Sequence, residues 1–272
     1  MFLILDIGAT NTKLSLSRDL NKSLSFQIFK TNQNFDLWFS EVVSRVNDFG
    51  PLKGIVLALP GVLSDKRDRL INCHNLPKWT NKKIKNRFDK EFKCQTYIFN
   101  DANLAALGEA TFGSGKGFKS VYHIMIGTGL GGARIIDSKI DYFNSGFEPG
   151  HQIVKIGDNG DMVSLESLVS GKNFFKIYKI KAEDCNNEEI WSEVSRYLSI
   201  GLINISTIIS PDIITIGGGL SKKTILLKLL KKHFNKDLKV IKPPKILKGK
   251  LGDEAAIFGG FHFLKNLNNK HG

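Results

Sequence analysis

Apolar and polar positions alternate over short runs at the start of the chain. "FLILDIG" and "TKLSLS" each read as a strand, and the residues between them as a tight turn. "SLSFQIFK" continues the alternation and predicts a β-meander. The period then lengthens: "FDLWFSEVVSRVNDFG" spaces its apolar residues three and four apart, a helix that stops at Gly50. "KGIVLALPG" is an unbroken apolar run, a buried strand turned at its end by Pro60-Gly61. "YIFNDANLAALGEATFG" opens as a short strand and passes into a helix rich in Ala and Leu.

The second half follows the same plan. "SVYHIMIGTGLGGARIID" is strand, glycine turn, strand; "WSEVSRYLSIGLINISTIIS" is a long helix stopped by Pro211. "DIITIGGGLS" is another buried strand ending in glycines, and "GDEAAIFGGFHFLKNL" is a closing helix. The repetition is one of architecture, not of residues. It predicts an α/β fold of two lobes with a cleft between them. Residues 1–105 and 252–272 would form the smaller lobe, and 106–251 the larger.

Composition adds exclusions. At 272 residues, with 42% apolar and 24% charged positions, the chain suits one large or two ordinary soluble domains. No apolar run approaches the roughly 20 residues of a membrane span. The N-terminus has neither basic leader nor small-residue cleavage site, and the three cysteines are widely spaced. Both features point to a reducing, cytoplasmic setting. The net charge of +13 permits a polyanionic partner. Its lysines, however, crowd residues 221–250 and alternate with apolar residues at helical spacing, as on the wet face of an amphipathic helix.

The candidate chemistry starts from the glycines. In "IMIGTGLGGARII" four of them fall within six positions. Without Cβ atoms, successive backbone N–H groups can approach an anion closely. Gly127, Thr128, Gly129, Gly131 and Gly132 would form one such cradle, and Gly8, Thr10 and Asn11 another. Asp6 ends the first strand beside the second cradle, where a carboxylate could hold Mg²⁺ through water. Asp101 lies at a strand-to-helix junction, where a helix N-cap is the plain alternative to a catalytic base. Glu148 and His151 flank a Pro-Gly pair in a polar loop.

The ordered set "DIGATNTK", "ALPG", "NLPKW", "NDANLAALGEATFG", "GTGLGGA", "EPGH", "SLESLVSG", "IGGG" and "LGDEAAIFGG" resembles the ROK family of sugar kinases and repressors. That family belongs to the hexokinase, actin and Hsp70 superfamily, so the resemblance implies an actin-like, ribonuclease H-like ATPase fold. It also implies roles. Asp6, Gly8, Thr10, Asn11 and Lys13 fall in the first phosphate motif. Gly127, Thr128, Gly129 and Gly131 fall in the second, and Gly218 and Gly219 lie under the nucleoside. Asp101 matches the catalytic base, and Asn100 beside it a sugar ligand. Glu148, His151 and Glu166 match further sugar ligands, with Gly61 and Asn75 lining the pocket. ATP and Mg²⁺ are the implied cofactors.

Three departures accompany the match. Ala9 stands where the family commonly has a second glycine, which the turn tolerates if its φ is negative. The family's zinc-binding cysteines are absent, their positions falling on Gly157, Asn159 and Ser164, so no zinc is expected. His151 would then be held by hydrogen bonds from Asp158, Asn159 or Asp161. Five residues before Asp6 leave no room for the helix-turn-helix of the repressor branch, so no specific DNA partner is expected.

The expected activity is phosphoryl transfer from ATP to the 6-hydroxyl of glucose. An N-acetylmannosamine or N-acetylglucosamine kinase and a polyphosphate-using glucokinase are the enzymatic alternatives. A silent sugar sensor, or a nucleic-acid binder exploiting the positive charge, is the non-enzymatic one. Sugar and nucleotide are the expected partners, with a homodimer possible.

Overall fold

The computed structural model describes residues 1–73, 75–141 and 147–271. The chain divides into two compact units, Met1–Gly108 with Glu254–Gly272, and Glu109–Asp253.

The first unit opens with strands β1 (Phe2–Ile7), β2 (Asn11–Ser17) and β3 (Ser25–Lys30), then helix α1 (Phe35–Val46). Strand β4 (Gly54–Leu59) follows, then the short strands β5 (Val62–Leu63) and β6 (Leu70–Asn72), helix α2 (Ile84–Phe92), strand β7 (Thr96–Asn100) and helix α3 (Asp101–Thr111). The main sheet has the order β3-β2-β1-β4-β7. Its meander pairs are antiparallel, while β4 runs parallel to both β1 and β7.

Strand periodicity sorts the residues of β1 between two layers. Leu3, Leu5 and Ile7 join the core that holds Trp38 and Phe39 of α1 and Phe88 of α2. Ile4 points the other way. Trp38, Trp79, Phe35, Phe39 and Phe88 form a chain of ring contacts within that core.

The second unit repeats the scheme. Strands β8 (Ser120–Ile126), β9 (Leu130–Ile136) and β10 (Lys139–Ile140) form its meander. The hairpin β11 (Ile153–Ile156) and β12 (Met162–Ser164) follows, then helices α4 (Leu165–Val169), α5 (Gly171–Tyr178) and α6 (Glu188–Ile209). Strand β13 (Ile213–Gly217), helix α7 (Thr224–Asp237) and strand β14 (Lys245–Lys248) complete it. Its sheet order, β10-β9-β8-β13-β14, matches the first sheet strand for strand, with the same parallel and antiparallel senses.

The final helix, α8 (Ala255–His271), belongs to the first unit. It lies on the layer opposite α1, since a Cβ on Gly260 would come within 2.8 Å of Ile4. Helices α3 and α8 cross closely: a Cβ on Gly108 would overlap the Ala255 carbonyl, and one on Gly259 the Leu104 carbonyl. The β10 and β14 strands are absent from the sequence expectation, and β14 lies inside the lysine-rich stretch read there as helical. No helix among the described residues is long and apolar enough to cross a membrane.

Candidate active site

In the first unit the turn between β1 and β2 carries the residues of the expected first phosphate motif. Asp6 and Lys13 face each other across the antiparallel pair, and Lys13 Nζ sits 2.9 Å from Asp6 Oδ2. The Gly8 N–H donates to the Asn11 carbonyl at 2.9 Å, closing the turn. Ala9 does not have a positive φ, so its methyl is accommodated. Thr10 and Asn11 are exposed at the tip. Below them the turn rests on a buried polar chain. Trp38 Nε1 donates to Thr12 Oγ1 at 2.9 Å, Thr12 and Thr31 hydroxyls lie 2.9 Å apart, and the Thr31 N–H donates to the Thr10 carbonyl.

The proposed base stands at the far end of the same sheet. Strand β7 ends at Asn100, and α3 starts at Asp101. Asn100 Oδ1 accepts from the Ala102 N–H at 2.9 Å, and Asn100 Nδ2 donates to the Gly61 carbonyl at 3.1 Å. Asn100 thus does the capping that the sequence left open for Asp101, although Asp101 Oδ1 also lies 2.8 Å from the Ala102 nitrogen. Gly61 has φ +92°, and a Cβ there would run into the Asn72 carbonyl. Only glycine fits the turn that presents this carbonyl to Asn100. Asn75 is exposed, and its carbonyl accepts from Gln33 Nε2 at 3.2 Å.

Cys73 was not among the sequence candidates, yet it packs beside Gly61 and feels the charge of Asp101. Burial raises its thiol pKa, and the Asp101 charge raises it further.

In the second unit the glycine turn is narrower than the sequence implied. Gly131 and Gly132 belong to β9 and pair with Met125 and Ile124. Gly132 is needed for packing, since a Cβ would lie 2.7 Å from the His123 carbonyl and 3.0 Å from Pro149. The turn proper is Gly127–Gly129. Gly127 N–H donates inward to the Gly129 carbonyl at 2.9 Å, which leaves it unavailable to an anion. The Gly127 and Thr128 carbonyls accept from Gly171 and Lys172 at the start of α5. Among the described residues, the Thr128 and Gly129 N–H groups have no protein partner. They are the donors that this turn leaves open.

The carboxylates converge on this turn. Glu166 lies in the first turn of α4, and its Oε2 accepts from the Leu130 N–H at 2.7 Å. Cβ atoms on Gly129 and Gly150 would come within 2.8 and 3.3 Å of that oxygen, so both glycines make room for it. Glu148 precedes the short helical turn Pro149–His151. One side of Glu148 is open to solvent, but the packed side raises its pKa, first through lost hydration and then through the Glu166 charge. His151 opposes the shift, which places all three groups in one electrostatic cluster.

The loop bearing His151 is anchored by Gln152. Its amide donates to the Pro149 carbonyl at 2.9 Å and accepts from Asn204 of α6 at 3.2 Å, and its carbonyl accepts from the Leu165 N–H. The expected anchors, Asp158, Asn159 and Asp161, sit instead at the tip of the β11–β12 hairpin, where the Gly157 N–H bonds the Asp161 carbonyl. The hairpin projects them away along its own length, so they do not reach the histidine loop. Among the described residues no group of three or more His, Cys, Asp or Glu is placed to hold a metal.

The segment expected to lie under a nucleoside closes β13. Gly218 has φ +82°, and a Cβ would strike the backbone of Ile126. The Ser221 N–H and hydroxyl both donate to the Gly218 carbonyl, at 3.2 and 2.7 Å. A Cβ on Gly219 would meet open space.

A family model described as ROK family matches residues 2–266. The chain belongs to the ROK family. This ROK protein is 27% identical over 296 residues to an N-acetyl-D-glucosamine kinase of Vibrio parahaemolyticus, covering 95% of this chain and 98% of that one. Its fold matches a ROK hexokinase from Thermus thermophilus with a TM-score of 0.85 at 20% identity, covering 98% and 99% of the two chains. It also matches a ROK glucokinase from Streptomyces griseus in complex with glucose and AMPPNP, with a TM-score of 0.80 at 23% identity, covering 96% and 98%. These likenesses carry the α/β, actin-like fold with its two lobes.

Proposed function

We propose that this ROK protein is a sugar kinase that moves the γ-phosphoryl group of ATP to a hexose hydroxyl, with the 6-hydroxyl of glucose as acceptor. The observation that carries the reading is the Glu166 carboxylate, bonded to Leu130 immediately after the glycine turn and clustered with Glu148 and His151. Sugar-binding carboxylates and a phosphate turn are thereby built as one piece.

The roles follow. A sugar hydroxyl is a poor nucleophile, so a carboxylate must take its proton as the phosphoryl group arrives, a contribution of roughly 10²–10⁴-fold. Asp101 is that base. Glu148, His151 and Glu166 hold the other hydroxyls, and Asn100 offers its second amide hydrogen. The Thr128 and Gly129 N–H groups of the second unit, and Thr10 and Asn11 of the first, suit phosphate oxygens. Gly218 and Gly219 leave a flat floor for the nucleoside. Asp6 suits Mg²⁺, a hard cation that takes oxygen ligands, and Lys13 beside it is a phosphate partner. Bound there, the ion would neutralise phosphate charge.

One finding favours a second acceptor within the same reading. The Vibrio parahaemolyticus relative is named for N-acetyl-D-glucosamine. A coupled ADP assay with Mg²⁺-ATP over glucose, mannose, N-acetylglucosamine and N-acetylmannosamine, with direct detection of the sugar phosphate when polyphosphate is the donor, separates them. Glucose turnover supports the first assignment. Turnover of an N-acetylhexosamine alone replaces it, and no turnover with any sugar returns the protein to the sensor class.

A further inference from the structure

The chain passes between its two units at Gly108–Glu109 and again at Asp253–Glu254. Glu109, the first residue after the outward crossing, is only 1% exposed. A carboxyl group so buried is costly unless fully hydrogen-bonded. Its Oε2 accepts from the N–H groups of Ser114 and Lys250, each at 3.0 Å, and its Oε1 from that of Leu251 at 2.7 Å. The three amides come from two distant segments, the one that leaves α3 and the one that leads back toward α8. Glu109 ties them together.

The glycines around it form the socket. A Cβ on Gly113 would overlap Oε2, and one on Gly249 would lie 2.8 Å from Oε1. Gly249 in turn donates its N–H to the Ile216 carbonyl at 2.8 Å. Ile216 leads directly into Gly217, Gly218 and Gly219, the nucleoside segment. On the other side of Gly217 stands His123, whose Nε2 would lie 2.8 Å from a Cβ there and whose Nδ1 is 2.8 Å from Thr215 Oγ1. The end of β13 is therefore set between His123 and Gly249, and Glu109 fixes the residues that follow Gly249.

We infer that Glu109 is a positioning residue for nucleotide binding: it locks the 249–251 segment, and through the Gly249–Ile216 bond it fixes the glycines of 217–219. The inference rests on the nucleotide reading of that segment. It makes sense of a glutamate where a buried apolar residue would pack more cheaply. Three donors and no other acceptor converge on one point, and a carboxylate is the side chain that only accepts.

The test uses the full chain carrying Glu109→Gln. Glutamine keeps the volume but turns one acceptor into an NH₂ group. Whichever way the amide is turned, at least one backbone N–H then faces a donor. Binding of Mg²⁺-AMPPNP and of the sugar is measured separately by calorimetry, with hydrogen exchange at Ser114, Lys250 and Leu251. The expected result is faster exchange at those amides, nucleotide Kd raised roughly tenfold or more, and sugar Kd within about twofold of wild type. Should Glu109→Gln not fold, Gly249→Ala presses on the same carboxylate from the other side and is expected to shift nucleotide Kd in the same direction. Accelerated exchange with unchanged nucleotide Kd overturns the inference, as does equal loss of sugar and nucleotide affinity. A wild-type chain that binds no nucleotide at all overturns the reading of the 217–219 segment, a different outcome from a wild type and variant that bind equally.

Discussion

At Asp101 the proposed chemistry comes down to one proton. Asparagine there keeps the shape and can still meet the Ala102 N–H, but it cannot accept the sugar proton. Asp101→Asn is expected to lower kcat by roughly 10²-fold or more, with the fold and sugar affinity kept. Steady-state kinetics beside a sugar-binding titration check this, and near-normal kcat would reduce Asp101 to a helix-start residue. Gly61 makes a different kind of residue-scale claim. Its φ of +92° and the Asn72 carbonyl behind it leave no place for a methyl group. Gly61→Ala is expected to cost about 1–3 kcal/mol from backbone strain alone. It should also raise the sugar KM, because the carbonyl that holds Asn100 must move. A denaturant midpoint unchanged from wild type would contradict it.

At the scale of elements, the structure shows how a loop that lacks the family's zinc cysteines is tied to its neighbours. The Gln152 amide bridges the Pro149 carbonyl and Asn204 of α6, fastening the turn that carries Glu148 and His151 to a long buried helix. Asn204→Ala removes the link without touching any residue of the proposed sugar cluster. The sugar KM is expected to rise roughly tenfold, with the nucleotide KM unchanged, as suits the loss of one or two hydrogen bonds. A chelator should abolish only Mg²⁺-dependent activity, with full return on adding Mg²⁺, and one tightly held zinc per chain by elemental analysis would refute the clasp as the loop's support.

The same scale shows what was legible beforehand. Strands β1, β2, β4, β8, β9 and β13 stood out because period-two alternation or solid apolar runs are local signals. Strand β14 did not, because "KILK" places lysines on an edge strand, a pattern that blunts edges but reads like the wet face of a helix. Turn and strand glycines also look alike in sequence. Gly131 and Gly132 fall in the strand; at Gly132 the His123 carbonyl and Pro149 leave no room for a side chain, and only the tertiary fold brings them there. Cys73, Tyr122 and Glu109 were missed for the same reason. Tyr122 lies under Glu148, whose charge together with burial pushes the phenol pKa up, and no spacing rule links positions so far apart.

The molecule as a whole should feel pH chiefly through His123. His123 is buried on β8 of the second sheet, and its pKa is lowered from the ordinary histidine value to about 4 because the charged ring loses its hydration, against a weaker pull upward from Glu109. Between these two values the unfolded chain takes up a proton that the folded chain refuses. Stability must therefore fall as pH drops through the ordinary histidine range toward about 4. Glu148 works in the opposite sense. Its raised pKa means the folded chain holds that proton more tightly than the unfolded one, so its protonation stabilises the fold at the acid end. Protonation of Glu148 would also remove an acceptor for a sugar hydroxyl, so sugar affinity should weaken as Glu148 takes up its proton even though the fold gains. The two effects are separable. His123→Asn leaves a neutral polar group near Thr215 and removes the titration. Denaturant midpoints taken from about pH 7 to about pH 5 should decline more steeply for the wild type than for His123→Asn. Parallel declines in both would mean that His123 takes its proton in the fold as readily as in the unfolded chain, and the buried, neutral imidazole under the nucleoside segment would have to be abandoned.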